Sequence, residues 1–120
     1  MKLRLNFKTI IIGGLITWLA SFIGIVILGI GFMFAMDSAL DLDRLALFEF
    51  LTTLFSVFLI SLSFTYFNTA KLGKSALING LLHGIVFLLV WGIISGVLMN
   101  TFGLVGLLGA AIAGYFSSRN

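Results

Sequence analysis

His83 is the only histidine in this chain, and it stands inside residues 75–118, a stretch without a single formal charge. An imidazole changes protonation near neutral pH, and an ionisable group within an apolar run is a candidate for function. Asn79 precedes it by four residues and so shares its helical face. At 1.5 Å per residue, His83 lies about 12 Å into a helix that starts near Ser75. The same count brings Thr17 and either Ser61 or Ser63 to a comparable depth, which predicts a polar layer of Thr17, Ser61 or Ser63, Asn79 and His83. Such a layer has two uses. It can form part of a transport pathway, or the imidazole can be tied to a hydroxyl or a backbone carbonyl and serve packing, the commoner use of a lone histidine.

Other chemistry is sparse. Glu49 falls in the second turn of an expected helix, where a carboxylate is favoured by the helix dipole, so it reads as an interfacial cap or as a coupling carboxylate. Asp37, Asp41 and Asp43 lack the alternating acid spacing, the glycine and the closing glutamate of a calcium loop, which leaves a solvated loop or a helix cap. With no cysteine and one histidine, no metal or cofactor is expected. Phosphate-binding, zinc-protease and serine-hydrolase signatures are all absent from the sequence. Trp18 and Trp91 read as packing residues. The chain is expected not to be an enzyme.

The elements that would position these residues are helices in lipid. The composition is 61% hydrophobic and 9% charged, with a mean hydropathy of +1.25, against about 45–50% apolar and about 25% charged in soluble domains. Crossing roughly 30 Å of hydrocarbon takes about 20 apolar residues. Spans are predicted at 10–34, 45–67, 76–98 and 102–116, an all-α membrane protein of two helical hairpins forming a four-helix bundle. The uncharged stretch 75–118 would be about 66 Å long as one helix, so it must fold back, and Met99-Asn100-Thr101-Phe102-Gly103 offers the turn chemistry. The first apolar run is too long for the core of a cleaved signal peptide.

Charge sets the expected orientation. Lys2, Arg4, Lys8, Lys71, Lys74 and Arg119 fall on one side, while Arg44 alone falls on the other. The basic side, with both termini, is expected in the cytoplasm. The net charge of +3 is spread over these helix flanks rather than gathered in a patch, which argues against nucleic acid as a partner.

Glycine spacing suggests how the helices pack. Gly80, Gly84, Gly92 and Gly96 share one face, as do Gly106, Ala110 and Gly114. Small residues let helices approach closely in lipid, where the hydrophobic effect offers little attraction. Close contact between the third and fourth helices is expected, with phenylalanines of the second helix filling grooves.

The C-terminal half carries Tyr66-Phe67-Asn68-Thr69-Ala70-Lys71-Leu72-Gly73-Lys74, then Gly80-Leu81-Leu82-His83-Gly84, then Gly109-Ala-Ala-Ile-Ala-Gly114-Tyr115. In this order of features it resembles an uncharacterised family of small four-span membrane proteins of Gram-positive bacteria. The resemblance implies a four-helix fold and brings no established activity. The glutamate midway along the first helix of small multidrug transporters is missing, as is the asparagine-rich signature of fluoride channels. Three functions remain as expectations. The first is an accessory or oligomeric membrane subunit acting through helix–helix contacts, by self-association or with a larger membrane protein. The second is a small oligomeric transporter or channel around His83. The third is a holin-like pore former.

Overall fold

The computed structural model describes residues 4–36 and 41–119; Lys2 and Asp37, which entered the charge and calcium readings, lie outside them. A π-helical turn, Lys8–Ile12, leads into α1 (Gly13–Met36). The helices that follow are α2 (Leu42–Thr69), α3 (Ala76–Ser95), entered through a 3-10 turn at Gly73–Ser75, and α4 (Thr101–Arg119). All four are long and apolar enough to cross a membrane.

Local chemistry fixes the ends. The Asn6 side chain accepts the Thr9 N–H at 3.1 Å, and the Asp41 side chain accepts the Arg44 N–H at 3.1 Å, each satisfying an otherwise orphan donor at a helix start. The Asp41 cap begins α2 three residues before the predicted start, so Asp43 and Arg44 lie within its first turn. The helix α3 stops at Ser95, short of the predicted residue 98. Gly96 takes a left-handed conformation (φ 76°), with its N–H on the Gly92 carbonyl at 2.9 Å, a C-terminal stop that glycine adopts without a Cβ penalty. The Asn100 carboxamide then accepts the Gly103 N–H at 2.6 Å and starts α4.

Around the bundle the neighbours run α1, α2, α4, α3 and back to α1, with α3–α4 the most extensive contact. The N-terminal segment bonds to Ser75 and Asn79, at the start of α3, and Thr69 of α2 meets Ser117 of α4. Both ends of the described chain therefore lie at one end of the bundle, the basal end. At the distal end α1 and α2 run on. Gly13 of α1 and Thr65 of α2 lie level with His83 of α3; from there α1 and α2 run on to Met36 and Leu42 while α3 stops at Ser95, so their hairpin stands clear of α3 by roughly 15 Å at 1.5 Å per residue.

The interior inverts the rule for water-soluble domains, in which apolar side chains are inside. Among the described residues, ten polar side chains are buried against eight hydrophobic ones, while Ile16, Ile27, Phe34, Phe55, Phe67 and Ile93 are among many large apolar groups facing outward. The buried stripe of α2 is Thr53, Val57, Ser61, Thr65 and Thr69, at strict four-residue spacing. The expectation that α2 phenylalanines fill grooves is corrected for five of them: Phe48, Phe50, Phe55, Phe64 and Phe67 point outward, while the half-buried Phe58 lays its ring against Gly109 of α4. The ring buried deepest in a groove is Phe87 of α3, fully buried and directly against Gly106 of α4. Small and hydroxyl-bearing side chains suit the inside because a bilayer, unlike water, gives large apolar groups no reason to hide.

Candidate functional site

His83 lies fully buried where α1, α2 and α3 converge toward the basal end. Its Nε2 is 3.3 Å from the Thr17 hydroxyl of α1 and 3.4 Å from the Asn68 carboxamide nitrogen of α2. Its Nδ1 is 3.2 Å from the Thr65 hydroxyl, also of α2. A hydroxyl both donates and accepts, so either neutral tautomer finds a partner at each nitrogen. Gly13 makes room for the ring: a Cβ there would sit 2.9 Å from His83 Cδ2 and 2.9 Å from Asn68 Nδ2. One side chain thus joins three helices.

Of the polar layer expected from the sequence, the structure brings Thr17 and His83 together and separates the rest. Ser61 is buried but donates to the Gly106 carbonyl of α4 at 2.6 Å. Ser63 is exposed on the opposite side of α2, and Thr65 takes the place proposed for these serines. Asn79 shares the helical face of His83 but serves the N-terminal segment. Its carboxamide oxygen accepts the Asn6 N–H at 2.7 Å, and its nitrogen donates to the Arg4 and Ser75 carbonyls, each at 2.7 Å. Every hydrogen-bonding position of that amide nitrogen is used, strapping residues 4–6 across the start of α3.

Glu49 is half-buried on α2, roughly 10 Å from the helix start at 1.5 Å per residue, and its carbonyl accepts the Thr53 hydroxyl at 2.8 Å. Asp41 caps α2 and pairs with Arg44 at 3.3 Å on the surface, where an ion pair adds little stability. No cluster of three or more metal-ligating side chains occurs among the described residues.

The glycines divide by role. A Cβ on Gly80 would meet Gly114 Cα at 2.9 Å and the Ala110 carbonyl oxygen at 3.0 Å, and one on Gly84 would meet the Ala110 Cβ at 2.9 Å. Gly114 in turn lies against the Ala76 carbonyl. Gly92 and Gly96 depart from this face: Gly92 packs against Leu98 of the turn, and Gly96 is the helix stop, with nothing within 4 Å of its Cβ position. Gly109, which the spacing argument set aside, seats α4 on the Phe58 carbonyl of α2.

Trp18 and Trp91 meet edge to face at 6.0 Å, and Trp91 continues to Phe102 at 5.5 Å, linking α1, α3 and α4. Both indole N–H groups and the Ser21 hydroxyl are buried with no hydrogen-bond partner among the described residues. Sequence reasoning missed Thr65, Asn68 and Ser21.

No protein-family model, curated protein or solved structure matches the chain. Four apolar helices of membrane length, with glycines and hydroxyls inside and large apolar side chains outside, define a multi-pass helical membrane protein.

Proposed function

We propose that the chain is a small membrane subunit, both termini cytoplasmic, that acts through helix–helix contacts with a second copy or a larger membrane protein and catalyses no reaction. Membership of the Gram-positive four-span family that its C-terminal half resembles is part of the same reading. The observation that carries it is the distal α1–α2 hairpin, which extends beyond α3 and α4. On its α1 side Ile27, Leu28, Gly31, Phe32 and Ala35 border an open groove of about 380 Å³. Gly29 and Gly31 have nothing within 4 Å of their Cβ positions, although residues this small serve elsewhere in the bundle to bring helices together. The basal charge bias supports the orientation. Toward the basal end the interior favours bracing over a conduit, because His83, Ser61, Thr65, Thr69 and Asn79 all spend their polar atoms on other parts of the chain.

The cysteine-free sequence allows a direct test. Gly31→Cys in native membranes should give a disulfide-linked dimer or a cross-link to one defined membrane protein, whereas Leu108→Cys, on the lipid-facing side of α4, should give neither. Purified protein in liposomes should pass no ions or small solutes. Flux that His83→Leu abolishes would replace this reading with the transporter, and flux insensitive to that change would favour a pore former.

A further inference from the structure

At the basal end, the first turns of the α1 rod and the last turns of α2 stand apart above Gly13. The gap is a groove of about 390 Å³ lined by Lys8, Thr9, Ile12, Gly13, Ile16 and Asn68. A second groove of about 390 Å³, bordered by Ser63, Phe64 and Phe67, adjoins it at Asn68. The lining is graded along the helix axis. Ile12 and Ile16, half-exposed, lie toward the bilayer centre, Thr9 and Asn68 are polar and half-buried, and the exposed Lys8 stands at the mouth. Charge is graded the same way. Arg4, Lys8, Lys71, Lys74 and Arg119 are at the basal end, while the acids among the described residues, Asp41, Asp43 and Glu49, precede the midpoint of α2 on the distal side.

We propose that this groove holds one anionic phospholipid of the surrounding bilayer. Its phosphate sits at Lys8, within the polar zone of Thr9 and Asn68, and an acyl chain lies along Ile12 and Ile16 with Phe64 and Phe67 beside it. The two-zone lining is what distinguishes this occupant. A soluble anion would leave the isoleucines uncovered, and a partner helix would bury Lys8 against apolar surface. Basic pockets between helices on the cytoplasmic side are known to take anionic headgroups, and one lysine near the surface gives a preference on the order of fivefold over a zwitterionic lipid. The seat is independent of the distal hairpin, and it rests on the cytoplasmic placement of the basal end proposed above.

The test is native mass spectrometry of the full chain released from nanodiscs containing equal parts phosphatidylglycerol and phosphatidylcholine. Wild type should retain one phosphatidylglycerol about fivefold more often than one phosphatidylcholine. Lys8→Gln should bring the ratio near one, Lys74→Gln should leave it unchanged, and Ile16→Trp should abolish retention of both lipids. If Ile16→Trp does not fold, Ile12→Trp makes the same test. Equal retention by wild type, a ratio that follows Lys74 instead of Lys8, retention that survives the filled groove, or displacement of the lipid by inorganic phosphate would each overturn the proposal.

Discussion

Gly80→Ala adds one methyl group where the backbones of α3 and α4 lie directly against each other. The new Cβ would lie 2.9 Å from Gly114 Cα and 3.0 Å from the Ala110 carbonyl oxygen, against an optimum of about 3.5–4.0 Å between carbons. Both neighbours are backbone atoms, so no side-chain rotation relieves the clash and the helices must part by roughly 0.5–1 Å. A gap of that size forfeits about a quarter to a half of each dispersion contact it opens, along the most extensive helix pair in the bundle. Overpacking of this kind costs about 1–3 kcal/mol, offset by at most about 1 kcal/mol from the better helix propensity of alanine. The net expectation is destabilisation by about 1–2 kcal/mol. Gly29→Ala is the matched control: it meets nothing within 4 Å and should be neutral or stabilising by up to about 1 kcal/mol. Unfolding in mixed micelles, followed by circular dichroism with both variants side by side, measures the difference. If Gly80→Ala proves as stable as Gly29→Ala, the backbone contact inferred between α3 and α4 is wrong.

Three further substitutions probe the interior in the same assay. His83→Leu deprives Thr17, Thr65 and Asn68 of their common partner. At about 0.6 kcal/mol for each hydrogen bond between membrane helices, it should cost about 2 kcal/mol; an unchanged midpoint would show that the ring braces nothing. Ser61→Ala should cost up to about 1.7 kcal/mol, the upper range for such bonds, whereas Ser63→Ala should stay within about 0.5 kcal/mol of wild type, and the reverse order would mean that α2 is rotated. Ser21→Ala removes a fully buried hydroxyl with no partner among the described residues and should raise stability by about 1 kcal/mol; a loss of that size would reveal a partner for it.

The fold was legible because it depends on length and polarity. Three long uncharged stretches, 9–36, 50–70 and 75–118, and a basic bias need no tertiary information, and Asn100 marked the second hairpin by its turn chemistry. The polar centre was legible only in part, because counting depth along a helix gives height and not rotation. Ser61 and Ser63 stand near the height of His83, yet two residues turn a helix by about 200°, so at most one of them can face inward. The stripe Thr53, Val57, Ser61, Thr65, Thr69 carried the missing rotation in plain view, but the phenylalanines between those positions drew the packing argument outward. Close packing in lipid favours rings in grooves as well as small residues at contacts, and composition alone does not say which side of α2 faces the bundle. The role of Asn79 could not be read at all, since it depends on where a non-helical segment, residues 4–6, crosses α3. Gly96 shows the same limit in small: spacing placed it on a packing face, and its positive φ made it a stop.

Site-directed labelling of single cysteines in intact cells with a membrane-impermeant maleimide tests the central arrangement most directly. Cysteines replacing Leu42 and Met99 should react from outside, and those replacing Arg4 and Ser118 should react only after the membrane is opened. Reaction of Arg4→Cys and Ser118→Cys from opposite faces, or of either from outside, would contradict a four-span bundle with both ends on the inner side.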